Sequence, residues 1–180
     1  MKKTAVLAFL ILIAALVIAC GSHRPGAMAM ATLQATSTTG PSGTVHFTDQ
    51  GDGGTEVQVD ITGLDPHSVH GFHIHENPSC ADMGNAAGGH FNPTSMPHAA
   101  PTAVSHHAGD FGNVAADDKG EVHEKFVTHS VTAHAGEISV LGHAVVLHEK
   151  ADDLTTQPSG NAGKRIACGV VEAMAGTMHH

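Results

Sequence analysis

The chain has 180 residues, with eight Lys and Arg against seventeen Asp and Glu, seventeen His, no Trp or Tyr, and a formal net charge of −9. An acidic balance excludes a nucleic-acid partner, because phosphate recognition needs a basic face, and it suits a protein that holds divalent cations. The length allows one core, since about 150 residues bury roughly two-thirds of the surface their unfolded chain exposes.

The N-terminus opens with Lys2 and Lys3, runs apolar from Ala5 to Ala19 and stops at Cys20. A basic start, an apolar stretch of that length and a small residue before the break describe an export signal over residues 1–19. The run is short for a bilayer span, which takes about 20 apolar residues. Val17-Ile18-Ala19-Cys20 resembles the lipobox of bacterial lipoproteins. That resemblance implies cleavage before Cys20, a diacylglycerol on its sulfur, and an envelope or periplasmic protein that meets a membrane only through this lipid. Cleavage removes Lys2 and Lys3 and leaves six basic residues against seventeen acidic ones. Residues 20–30 read as a flexible tether, 31–174 as the domain and 175–180 as a flexible tail. Met28 and Met30 alternate, as in a strand or a tether, and the seven methionines form no M-x-x-M copper-binding run. With Cys20 assigned to the lipid, Cys80 and Cys168 remain as an even pair in an oxidising compartment, where a disulfide is the default.

Short alternating runs follow at Thr44–Phe47, Glu56–Ile61, Gly71–His75, Glu121–Val127, His143–His148 and Ile166–Val171. In Glu56–Ile61 every second residue is Val, Val or Ile, the signature of a strand with one face in a core and one in water. Gly51-Asp52-Gly53-Gly54, Asp65-Pro66 and Asp117-Asp118-Lys119-Gly120 supply the turns between runs. Regular short strands with such turns predict an all-β antiparallel sandwich or barrel. Two stretches break the rhythm: Glu76–Asp110, rich in Gly, Ala, Pro and His, and Glu149–Arg165. Structureless loops of more than about 15 residues are uncommon in compact domains unless functional or disordered. Too few apolar residues lie in either to hold it by burial, so a staple between Cys80 and Cys168 and a metal are expected to do so.

On a strand, residues two apart share a face, so His73 and His75 can reach one ion together while Phe72 and Ile74 enter the core. His148 ends another apolar strand, and three imidazoles from two strands suit copper. In the first loop His90, His98, one of His106 and His107, and Asp110 make a workable tetrahedral zinc set. Metal binding there would order the loop, because binding free energy becomes folding free energy.

GFHIHENPSC, GGHFNP, HAGDFGNV, VLHEKADDL and GNAGKRIACGVV resemble, in order, the successive signatures of the copper–zinc superoxide dismutases over Ala31 to Val171. The resemblance implies an eight-stranded antiparallel Greek-key β-barrel with one copper and one zinc ion per chain. It implies dismutation of superoxide to dioxygen and hydrogen peroxide at a copper that alternates between two oxidation states. Carried over residue by residue, it makes His73, His75, His90 and His148 the copper ligands, with His90 bridging to zinc. His98, His107 and Asp110 complete the zinc site, His107 being preferred because His107-Ala108-Gly109-Asp110 matches the family's His-x-Gly-Asp. Asp152 becomes the carboxylate that links a copper-ligand and a zinc-ligand histidine, and Arg165 the guanidinium beside the copper.

The second loop is shorter than in the animal enzymes, and Thr155 stands where the family places glycine. The tail from Glu172 to His180 matches no family pattern, and monomer or homodimer stays open. Lys150 and Lys164 read as solvated lysines. His70 is expected to pack beside the copper ligands and His143 to be structural. His23, His46, His67, His123, His129, His134, His179 and His180 have no ligand spacing. A metal carrier on the same barrel could dispense with Arg165, and a purely structural lipoprotein gives no reason for His148 or for both His73 and His75. The filled set favours an enzyme.

Overall fold

Alternation decides the strands. In β3 (Thr55–Thr62) the residues Val57, Val59 and Ile61 are fully buried and their neighbours are not, because a pleated strand sends successive side chains to opposite faces. The computed structural model describes residues 26–174; the export signal, Cys20 and the 175–180 tail lie outside the described residues. Eight strands form there: β1 (Met28–Ala35), β2 (Ser42–Asp49), β3, β4 (Val69–His75), β5 (Asp110–Ala115), β6 (Val122–Thr128), β7 (Ala144–His148) and β8 (Arg165–Ala173). All neighbouring pairs are antiparallel, in the order β5-β4-β7-β8-β1-β2-β3-β6.

The order makes a nearly closed Greek-key barrel. Beyond the β1–β2–β3 meander the chain crosses to β4, and beyond β6 it crosses back to lie between β4 and β8. β5 and β6 are the two edges. Phe111 of β5 and Phe126 of β6 meet edge to face with ring centroids 5.5 Å apart, and the Ala115 N–H donates to Glu124 Oε1 at 2.8 Å. Phe47 and Phe72 complete the aromatic cluster around Phe111 at 6.5 and 6.0 Å. No helix of the described residues is long and apolar enough to cross a membrane.

Two expectations are corrected. The tether does not reach residue 30: β1 starts at Met28, pairs with β2 and β8, and buries Ala29, Ala31 and Leu33 completely. Its inward residues include two alanines, too small to mark a core strand by composition. The first long loop ends at Gly109, because Asp110 opens β5. That strand escaped the alternation test because Gly112 takes φ +75° and its burial does not alternate.

The first loop is held where expected. Cys80 and Cys168 are disulfide-bonded, and Ala87, Ala144 and Val146 bury around them. A single 3-10 turn spans Asn85–Ala87. Backbone bonds add a second attachment: Phe91 N–H donates to Ile74 O (2.8 Å), Ile74 N–H to Gly109 O (3.0 Å) and Gly109 N–H to Phe91 O (2.9 Å). Gly109 is required there, since a Cβ would lie 2.2 Å from the Ile74 carbonyl oxygen.

Candidate metal centre

β4 sends Phe72 and Ile74 into the barrel core and His73 and His75 to the opposite face, where the loops bury them at 0% and 1% exposure. Two register shifts fall in this region. The register of β4 against β5 shifts between Gly71 and His73, and that of β7 against β8 between Leu147 and His148. In both the extra residue lies on the partner strand, β5 or β8, across from the histidine-bearing strand.

His73, His75, His90 and His148 bring one ring nitrogen each within 4.8 Å of one another. The tautomers follow from the outer partners. His73 Nε2–H donates to Asp152 Oδ2 (2.8 Å), His75 Nδ1–H to Gly88 O (3.0 Å) and His148 Nδ1–H to Gly163 O (3.3 Å). The lone pairs therefore point inward, on His73 Nδ1, His75 Nε2 and His148 Nε2, the last two 3.3 Å apart. His73 Nδ1 and His90 Nε2 are buried with no hydrogen-bond partner. A buried polar atom left unpaired costs about 1–3 kcal/mol, and inward lone pairs that no donor meets are what a cation ligated by nitrogen needs. The donor set fits copper.

His90 belongs to a second group with His98, His107 and Asp110. The Nδ1 atoms of His90, His98 and His107 lie 2.7, 2.9 and 3.2 Å from Asp110 Oδ1. Only the first two are aligned as hydrogen bonds, and His107 Nδ1 is left without a partner. Three nitrogens and a carboxylate make a closed set that fits zinc. Of the adjacent histidines, His107 belongs to this group, whereas His106 Nδ1–H donates to the His107 carbonyl at 2.6 Å, outside it.

Asp152 joins the groups, accepting from His73 Nε2 and, through Oδ1, from His98 Nε2 (3.0 Å). Asn113 of β5 holds its backbone through bonds of 2.6 and 2.9 Å. Gly160 leaves room for it, as a Cβ would fall 1.7 Å from Asp152 Oδ1. Gln157 clamps the His98 backbone from both sides, accepting from its N–H (2.9 Å) and donating to its carbonyl (2.7 Å). The sequence reading missed Asn113 and Gln157, and no spacing signal could have found them.

Arg165 opens β8 opposite His148, and its guanidinium donates to the carbonyls of Gly84 and Gly88. A cleft of about 630 Å³ is lined by His75, His90, His148, Arg165, Lys164 and Glu76, among others. Lys164 thus faces the cleft, whereas the exposed Lys150 is not part of its lining. His70 backs the site, with Nδ1–H donating to the His148 carbonyl at 2.7 Å. His143 lies over Phe91 with centroids 4.0 Å apart and donates to the Glu76 carbonyl. His46, His67, His123, His129 and His134 stand outside both groups; His23, His179 and His180 lie outside the described residues.

Burial sets the charge of the metal-free site. It pushes His73 down to about 4 and His148 to about 3, and holds His75 well below the usual imidazole range. His107 is lowered by burial too, whereas Asp110 and Asp152 raise His98 against the same desolvation. Burial alone would raise Asp110, but bonds from His90, His98 and two backbone N–H groups hold it far below the carboxylate range. The unfolded chain binds protons near pH 6.5, before His73, His75 and His148 can in the fold. Stability of the metal-free protein therefore falls as pH drops from about 6.5 toward 4, with His98 offsetting part of the loss. His73 alone contributes about 3 kcal/mol of this. Melting temperatures in chelator between pH 7.5 and 4.5 should decline steadily, and a flat profile would refute the neutral cluster.

The family model described as copper/zinc superoxide dismutase matches residues 41–171. Among solved structures, a crystal structure titled as that of the clock protein EA4 is 39% identical, with a TM-score of 0.75, over 84% of this chain and 97% of that one.

Proposed function

The chain belongs to the copper/zinc superoxide dismutase family, and from that membership we propose which of its residues hold the metals, which meet the substrate and where the enzyme works. Membership makes it a superoxide dismutase with copper and zinc as cofactors. His73, His75, His90 and His148 hold copper, and His90, His98, His107 and Asp110 hold zinc. The observation that carries this reading is the set of three orphaned buried atoms, His73 Nδ1, His90 Nε2 and His107 Nδ1, which fall in the two donor groups. Bound copper supplies the one-electron couple that dismutation requires, and zinc a fixed positive charge.

The remaining steps belong to the chain. Asp152 orients one histidine of each group, and partners of this kind fix ligand tautomer and rotation. His90 is the single residue common to both groups. Its Nε2, buried yet beside the cleft, is placed to hold one of the two protons that each pair of superoxide anions consumes. Arg165 attracts and orients the anion. Its guanidinium is fixed by two loop carbonyls, so a local positive potential persists at the cleft despite the acidic chain.

Replacing Arg165 with alanine should leave both metals bound and slow superoxide consumption by about tenfold or more, since local potential changes on-rates by one to three orders of magnitude. The residual rate should also lose most of its salt dependence. An unchanged rate would remove Arg165 from the mechanism.

The site of action is the cell envelope, with Cys20 lipidated and the enzyme intercepting superoxide outside the cytoplasm. Support comes from the basic start, apolar run and lipobox-like Val17-Ile18-Ala19-Cys20. Recovery of the active chain in the soluble fraction of fractionated cells would sink this placement.

A further inference from the structure

Met174, near the end of the domain, comes to lie beside Met28 and Met30 of β1 on the outer face of the barrel. β1 turns Ala29, Ala31 and Leu33 inward and therefore Met28 and Met30 outward. On one side, the Met174 N–H donates to Met28 O at 2.9 Å, and Met30 stands opposite Glu172. On the other side Met30 stands opposite His46. The outer surface thus presents Met174 beside Met28 in one row, and Glu172, Met30 and His46 across the next. Directly opposite residues on antiparallel strands have Cβ atoms about 4.5–5.5 Å apart, and same-face neighbours along a strand lie about 6.6 Å apart. Met side chains, with three rotatable bonds, span such gaps.

The neighbourhood is open to a ligand. A shallow cavity of about 450 Å³ is lined by Met30, Glu172 and Met174, with Thr32, Val170 and Ala173. Met174 is 37% exposed. Thioethers are soft ligands that select Cu(I) over Zn²⁺ and Cu²⁺, and an imidazole is compatible with the same ion. The Glu172 carboxylate places a negative charge beside the otherwise neutral donors.

We propose that Met28, Met30 and Met174, with His46 at the edge, form a second, surface metal site for cuprous ion, separate from the histidine centre. It takes reduced copper, whereas the buried centre offers only nitrogen and oxygen donors. Methionine spacing in the sequence hides it, because Met174 is brought beside Met28 and Met30 only through the β1–β8 pairing.

The test uses the full mature chain with copper and zinc already loaded, labelled at the methionine methyl carbons. Silver(I) is the probe, as a soft ion that does not oxidise in air. One equivalent should shift the methyl signals of Met28, Met30 and Met174 together. Met83 and Met96, exposed at 66% and 42% but isolated on the loops, should stay in place. Each Met→Leu substitution at 28, 30 or 174 should weaken silver binding about tenfold with dismutation unchanged, and in the triple substitution, titration calorimetry should show loss of the one-equivalent silver binding. The response should survive His179→Ser with His180→Ser. Equal shifts at all methionines, loss of the response in the His179/His180 variant, or a patch already covered in a stable dimer that silver does not perturb would each overturn the site.

Discussion

Replacing His148 with alanine is expected to abolish superoxide dismutation and empty the copper position, while zinc and the fold remain. His148 contributes to the group of His73, His75 and His90 and not to the group built on Asp110. It closes β7, whose core contacts come from Val145 and Leu147, so truncating its ring leaves the barrel packing untouched. Its outer bond goes to a loop carbonyl, Gly163 O, that solvent can satisfy in its place. Loss of a single outer partner costs about 10–100-fold in metal affinity, and loss of a ligand should exceed that. Metal analysis should return zinc near one per chain with little copper, and activity should fall to the background. Full activity would show that these four rings do not form the redox centre.

Replacing Cys80 with serine is expected to produce the largest change in stability. The bridge to Cys168 closes a loop of 88 residues, which chain entropy values at about 4–5 kcal/mol. For a domain of this size that corresponds to roughly 10–20 °C in melting temperature. The effect on activity should be disproportionate. The loop pinned by Cys80 carries the carbonyls of Gly84 and Gly88; both accept from Arg165, and Gly88 also accepts from His75. Releasing that loop loosens a metal-ligand candidate and the anion-binding guanidinium at once. Thermal unfolding of the metal-free variant, paired with copper retention on dialysis, checks both effects; a melting temperature within a few degrees of the parent would refute the role of the bridge.

Both expectations rest on residues that the sequence made visible. His73 and His75 could be read as a pair because strand periodicity puts i and i+2 on one face, and Phe72 and Ile74 marked the opposite face as core. His148 followed from the apolar run that it ends. β5 and the start of β1 did not show, because alternation fails where a glycine at φ +75° interrupts a strand or where inward residues are alanines. Asn113 and Gln157 were equally hidden, since each acts on backbone atoms of residues distant in the chain.

By itself the sequence determined the β class, the two irregular loops, the cysteine pair and the side chains able to bind a metal, because periodicity and residue chemistry are local properties. Only the tertiary structure decided which carbonyls orient the imidazoles, where Arg165 is held, and that Met28 stands beside Met174. Each of these depends on register and loop closure between distant segments. A one-residue slip of a strand would turn every one of its side chains to the other face, and spacing along the chain carries no record of that alignment.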